Sequence, residues 1–329
     1  MEQPHRRLAV FALVWVLSLG CGGNEPSEQP APGGAKQNRR LNFSFVTNAV
    51  ANFWTIAKKG IDDAAEEFDV LVEFRMPPTG SISEQKQIIE DAFNNGIDGL
   101  AVSPIDAENQ TEFLKEMAGY IPLLCHDSDA PESGRLAYVG TDNYQAGREA
   151  GKLIKEAIPE GGKIMLFVGR LDAQNAQERK RGIEEELAGG NVEIIDTRTD
   201  ETDTLKARSN AEDTLLAHPD VKCLVGLWSY NGPAIAAAVE AADKVGEVQV
   251  VCFDEDDATL EAIARGVIHG TVVQQPYQMG YQTIRILTEY VRGNKEVIPA
   301  NQIIDTGVQI VRQENVEEFK AELENLLGP

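Results

Sequence analysis

The chain has 329 residues, more than one hydrophobic core usually fills, so two lobes or domains are expected. Its composition, 42% hydrophobic and 25% charged, is that of an ordinary globular protein. A formal net charge of -23 argues against a nucleic-acid partner, because so acidic a surface repels phosphate; solubility accounts for the acidity.

Residues 1–20 read as an export signal: Arg6 and Arg7 are the charged segment, Leu8 to Leu19 the apolar one, and Gly20 precedes Cys21. The apolar run is too short to span a bilayer. Leu17-Ser-Leu-Gly-Cys21 resembles a bacterial lipoprotein box, with Ser18 where Leu is usual, so lipidation at Cys21 is expected. Residues 21–40 are rich in Gly, Pro and polar residues without apolar periodicity, which predicts a flexible tether holding the folded part near a membrane.

From Leu41 strands and helices alternate. Strand Leu41–Thr47 leads to helix Phe53–Phe68, with Ile56, Ala57, Ile61, Ala64 and Ala65 at helical spacing. Strand Val70–Arg75 follows, then helix Ser83–Asn94, headed by Ser83 as N-cap and stopped by Asn95-Gly96. Strand Gly99–Ser103, helix Ala107–Ala118 and strands Ile121–Cys125 and Leu136–Val139 complete a first run. A second run has helix Tyr144–Ala157, strand Lys163–Val168, helix Ala176–Leu187, strand Val192–Thr197 and helix Thr204–Ala217. Strand Val221–Leu227, helix Pro233–Lys244, strand Gln249–Phe253 and helix Ala258–Ala264 continue it. The order then changes: strand Gly270–Val273, long helix Gln278–Arg292, strand Ile303–Ile310 and amphipathic helix Val316–Leu327. Such alternation predicts an α/β fold of two doubly wound parallel-sheet, Rossmann-like lobes.

Signatures of catalysis are missing. There is no GxSxG, no GxxxxGK[ST] and no strand-linked GxGxxG. His126 adjoins Cys125 and Asp127, but neighbours on a strand face opposite ways, so a dyad is not expected. His218 reads as a helix C-terminal cap. Cys125, Cys223 and Cys252 sit in apolar runs without ligand spacing and read as buried small hydrophobes. The run Asp254 to Asp257 does not match an EF-hand loop and suits a helix N-terminus, so no metal and no cofactor is expected.

Polar and aromatic residues at strand ends remain. Phe53 and Trp54 follow the first strand, Asp127 the fourth, Asp254 follows Phe253, and Gln274 follows the Gly270 strand. Arg179 opens a helix after Asn175. Singly, Phe53 and Trp54 read equally well as core, and Asp127 and Asp254 as caps. Their shared place at strand carboxyl ends, where open α/β sheets bind ligands, points to a polar ligand site. Carboxylate, amide, arginine and aromatic groups suit the vicinal hydroxyls and apolar ring face of a sugar.

With Asn52-Phe-Trp, Gly99-Leu-Ala-Val-Ser-Pro104, Asp127, Gly140-Thr-Asp-Asn143, Asn175-Ala-Gln-Glu-Arg179, Ala217-His-Pro-Asp220, Phe253-Asp254 and Val273-Gln274-Gln-Pro276 in this order, residues 41–313 resemble the ribose-type periplasmic sugar-binding proteins of ABC importers. The resemblance implies a type I periplasmic binding protein fold whose lobes close on a sugar about a three-segment hinge. Crossings are expected near Thr141–Asp142, Gln274–Gln275 and Asn301–Ile303, giving one lobe of residues 41–141 plus 275–302 and another of 142–274 plus 303–329. It implies that Phe53 and Trp54 sandwich the sugar ring, that Asp127 binds paired hydroxyls, and that Arg179, Asp254 and Gln274 complete the set.

Three positions depart from the ribose pattern. Ser128 stands for the usual Arg, the stretch Trp228-Ser-Tyr-Asn231 for an asparagine, and Thr202 for an aromatic. Ser128, Trp228 and Asn231 therefore join the predicted site, and a ligand other than ribose is expected. The expected function is a non-enzymatic, monomeric, exported solute-binding protein that delivers a monosaccharide or polyol to a membrane permease. The alternative presents its ligand to a chemoreceptor or sensor kinase. A sugar-repressor regulator lacks its N-terminal helix-turn-helix here, and an enzyme lacks its base.

Overall fold

The structure is a computed structural model and describes residues 39–328. The export signal, Cys21 and the tether up to residue 38 lie outside the described residues.

The first lobe opens with β1 (Asn42–Val46), α1 (Phe53–Glu67), β2 (Leu71–Arg75), α2 (Ile82–Asn94), β3 (Gly99–Val102), α3 (Ala107–Ala118), β4 (Leu123–His126) and β5 (Ala137–Gly140). The second holds α4 (Asn143–Ala157), β6 (Gly162–Val168), α5 (Gln174–Leu187), β7 (Val192–Thr199), α6 (Thr204–Ala217), β8 (Val221–Gly226), α7 (Asn231–Ala241), β9 (Gln249–Phe253), α8 (Asp257–Ala264) and β10 (Gly270–Val273). The chain then returns to the first lobe for α9 (Pro276–Val291) and β11 (Ile303–Asp305), and ends in the second with β12 (Gln309–Arg312) and α10 (Val316–Leu327).

The sheets run β11-β5-β4-β3-β1-β2 and β12-β10-β9-β8-β6-β7. The first is parallel throughout; in the second only β12 is antiparallel, to β10. The inner strands β3, β4, β6 and β9 are buried on both faces, which is why they read as apolar runs, whereas the edge strands β2, β7 and β11 are part-exposed and carry charged residues. In β3, Leu100 and Val102 pack into one cluster and Ala101 into another; in β6, Ile164, Leu166 and Val168 oppose Met165 and Phe167.

Two expectations shift. The predicted strand Ile303–Ile310 is two strands: β11 pairs with β5 in the first sheet and β12 with β10 in the second. The third crossing therefore follows Asp305, turning at Gly307 (φ +74°), rather than preceding Ile303. A continuous apolar pattern hides this because both halves cover a core, each in a different lobe. The N-cap of α2 is Ser81, whose hydroxyl accepts from the Glu84 N–H at 3.3 Å, not Ser83.

Candidate functional site

The carboxyl ends of strands from both sheets meet around a cavity of about 240 Å³. At ~30 Å³ per water of displaced liquid, that is room for a molecule of monosaccharide size. Eight of the ten residues expected at the site line it: Phe53, Trp54, Asp127, Asn175, Arg179, Trp228, Asp254 and Gln274.

Asp127 follows β4 in left-handed backbone (φ 58°), which turns its carboxylate off the strand end. One oxygen, Oδ2, accepts from Asn48 Nδ2 (3.0 Å) and Ser103 Oγ (2.9 Å) of its own lobe and from Asn175 Nδ2 (3.4 Å) of the other. The three donors hold the group in one orientation with Oδ1 turned away from them. Burial pushes its pKa up to about 6; Arg179 and the Ser103 and Asn175 bonds oppose the rise, and the negative Asp254 adds to it.

Arg179 is fully buried on α5, its guanidinium 4.4 Å above the Phe253 ring. Its Nε donates to Asn143 Oδ1 (2.9 Å), its Nη1 to the Leu227 carbonyl (2.6 Å), and Asp254 Oδ2 lies 3.9 Å from Nη1. Asn143, at the first crossing, donates in turn to the Asp127 backbone carbonyl at 3.3 Å, so the arginine is tied through the first crossing to the backbone that carries Asp127. Close helix packing sets this geometry: a Cβ on Gly147 of α4 would lie 2.2 Å from the Arg179 carbonyl oxygen. Asp254 Oδ1 accepts from Gln274 Nε2 at 2.9 Å, and burial raises its pKa as well.

Phe53 and Trp54 serve core and cavity together. Both are buried, meet edge to face at 4.9 Å, and form part of the first lobe's apolar cluster while walling the site. Trp228 is packed over Gly169, where a Cβ would come within 2.2 Å of the indole.

Ser128 and Asn231 do not line the cavity. Ser128 is fully buried and its N–H donates back to the His126 carbonyl at 2.6 Å. Asn231 is spent behind Trp228: its Oδ1 accepts the Trp228 N–H (3.1 Å) and its Nδ2 donates to Asp200 (3.0 Å), which also takes the Tyr230 hydroxyl. Thr202, by contrast, is in the lining.

Four buried polar atoms of the lining have no hydrogen-bond partner among the described residues: donors Arg179 Nη2 and Trp228 Nε1, acceptors Asn175 Oδ1 and Gln274 Oε1. Each costs on the order of 1–3 kcal/mol while unmatched, and a ligand with adjacent hydroxyls can match all of them. Nucleophilic chemistry has no foothold here. His126 is stacked on Phe45 at 3.8 Å, with burial holding its pKa down to about 3, and burial pushes the Cys125 and Cys252 thiols up to about 12. His218 caps α6, and the acidic run opens α8, Asp256 accepting the Ala258 N–H at 3.0 Å.

Asn48, Ser103, Asp256 and Tyr230 are site residues that the motifs did not bring out. Asn48 and Ser103 also follow strand ends, so the rule that found Asp127 could have found them. Asp256 was visible only as part of an acidic run.

A model of the family described as "periplasmic binding protein domain" matches residues 43–295. The D-allose-binding periplasmic protein of Escherichia coli K12 is 25% identical over 275 residues, 79% of this chain and 87% of its own. A solute-binding protein of an ABC transporter from Burkholderia graminis C4D1M, solved in complex with D-arabinose, is 31% identical with a TM-score of 0.78, covering 84% of this chain and 96% of that one. The XylFII-LytSN complex gives 26% identity and a TM-score of 0.78, over 84% and 99%. The chain thus belongs to the periplasmic binding protein domain family, in its ribose-type form of two α/β lobes.

Proposed function

We propose that this chain is the exported solute-binding component of an ABC sugar importer, taking one monosaccharide or polyol between its lobes and presenting the closed form to a membrane permease. The observation that carries the reading is the set of unmatched donors and acceptors, Arg179 Nη2, Trp228 Nε1, Asn175 Oδ1 and Gln274 Oε1, around one sugar-sized cavity walled by Phe53 and Trp54. Ligand contacts made only in the closed form shift the population toward closure. The reading includes a monomer, tethered through lipidated Cys21. Replacing Cys21 with Ser should abolish labelling by a fatty-acid probe and release the protein from membranes.

Calorimetry with pentoses, hexoses and polyols tests the core claim: one ligand should bind at one-to-one stoichiometry and be recovered unchanged. Absence of heat with all of them defeats it. The likeness to a protein found in the XylFII-LytSN complex favours a second reading, in which the closed form is presented to a chemoreceptor or sensor-kinase ectodomain. Stimulation of a permease's ATPase by the liganded protein separates the two.

A further inference from the structure

Asp200 stands behind the cavity wall rather than in it. It follows β7 and is 1% exposed, and the second lobe's wall takes Thr202 and Thr204 from its own loop and Trp228, Ser229 and Tyr230 from the next. Its carboxylate is where a chain of four hydrogen bonds ends. Oδ1 accepts the Thr202 N–H at 2.9 Å and the Tyr230 hydroxyl at 2.5 Å, and Oδ2 accepts from Asn231 Nδ2 at 3.0 Å. Behind that amide, Asn231 Oδ1 accepts the Trp228 N–H at 3.1 Å. The Thr202 and Trp228 donors are main-chain N–H groups and cannot reverse. Asn231 therefore has one usable orientation, and the chain must end on a group that only accepts. A carboxylate is such a group; an amide is not.

Two features of the wall depend on this terminus. Glu201 and Thr202 are consecutive left-handed residues, at φ 58° and 65°. A β-branched residue rarely takes that backbone, and it persists where surrounding bonds over-determine it. Those bonds are the Asp200 N–H to the Val168 carbonyl (3.2 Å), the Glu201 N–H to the Gly169 carbonyl (2.9 Å) and the Thr202 N–H to Asp200. The second feature is the Trp228 indole. Its main chain is held through Asn231, and its ring meets the Tyr230 ring edge to face at 6.4 Å, with the Tyr230 hydroxyl fixed by Asp200. Trp228 Nε1, an unmatched donor among the described residues, is thus placed by a residue outside the lining.

We infer that Asp200 is the positioning residue of the second lobe's wall, holding Thr202 and the Trp228 indole where they select the hydroxyl pattern of the ligand. This rests on the sugar-binding reading above and adds where selectivity on this lobe is set. Asp200 touches no ligand itself; it acts through Thr202, Tyr230 and Asn231.

The test is a swap, read in two ways on the whole protein. In Asp200→Asn the new amide oxygen must stay toward the Thr202 N–H, which turns its NH2 group on Asn231 Nδ2, donor against donor. In Asn231→Asp the opposition is carboxylate against carboxylate. Made together, the two substitutions restore a donor–acceptor pair and leave the Thr202 and Trp228 N–H groups an acceptor each. The first readout is calorimetry with ribose, arabinose, xylose, allose, tagatose, glucose, galactose, mannose and xylitol. Asp200→Asn should bind the best of these about 20-fold more weakly than wild type, and discriminate it from the next best about fivefold less. The double variant should return both quantities to within about threefold of wild type. The second readout is the indole N–H NMR resonance of Trp228 in the ligand-free protein, identified by its absence in Trp228→Phe. It should shift in each single variant and return in the double. If Asp200→Asn does not fold, the double variant decides alone, and it should fold and bind. An Asp200→Asn protein with wild-type affinity and discrimination, or a double variant no better than the singles, overturns the inference. Wild type binding nothing in the panel defeats the sugar-binding reading instead, and the resonance then decides the inference by itself.

Discussion

Asp127 and Asp254 occupy the same place in their respective lobes. Each follows a strand in left-handed backbone, at φ 58° and 69°. Each donates its N–H to the next strand over, to the Val139 carbonyl at 3.4 Å and the Val272 carbonyl at 2.9 Å. Each carbonyl accepts a hydroxyl from that strand, from Tyr138 at 3.0 Å and Thr271 at 2.8 Å. The two lobes thus deliver matched carboxylates to one cavity, with Arg179 3.9 Å from the Asp254 carboxylate and tied through Asn143 to the backbone carbonyl of Asp127.

Asp127→Asn tests the carboxylate directly. An amide nitrogen in place of one oxygen either meets the donors of Asn48, Ser103 and Asn175 or turns toward the ligand as a donor where an acceptor is needed. Affinity for the best ligand should fall at least 100-fold, about 2.7 kcal/mol, by calorimetry.

The same substitution tests a pH dependence. The Asp127 carboxyl holds its proton more tightly folded (pKa about 6) than unfolded (ordinary value 3.8). Its stabilising contribution is therefore present below about pH 4 and lost as pH rises through about 6, on the order of 3 kcal/mol. Thermal melts of the ligand-free protein from pH 4 to 7 should show wild type losing stability, relative to Asp127→Asn, across that window. Parallel profiles for the two proteins would defeat the assignment.

Arg179→Lys should be severe. The ammonium cannot reproduce donation to Asn143 and the Leu227 carbonyl together with the stack on Phe253. Chemical denaturation should show a loss of about 3 kcal/mol, and calorimetry no detectable ligand binding.

Gly169→Ala should press on Trp228. The added Cβ would lie 2.2 Å from the indole and 2.6 Å from the Tyr230 hydroxyl. The ring must shift, costing about 1–3 kcal/mol of stability. Ligand affinity should drop at least tenfold, with a changed Trp emission maximum in the ligand-free protein.

Much of this site was legible because it is local. Asp127, Asp254 and Gln274 each follow an apolar strand directly, and strand ends can be read from a short window of sequence. Ser128 and Asn231 were drawn in by departure from a family pattern, yet a side chain's direction depends on backbone turn. The left-handed residue at Asp127 places Ser128 in the interior, and Asp200, some thirty residues before Asn231, claims that amide. Nothing near Asn231 in sequence announces Asp200.

The α/β class, the two-run organisation and the buried cysteines follow from the chain's own periodicity, since a strand covered on both faces must be apolar whatever it packs against. Which sheet β11 joins is different in kind. Ile303–Asp305 and Gln309–Arg312 carry the same apolar signal, and only pairing with β5 and β10 assigns them to separate lobes. The make-up of the cavity likewise came into view only in three dimensions. Asp127, Arg179, Asp254 and Asp256 come from segments up to 129 residues apart, and folding alone brings them into a single lining.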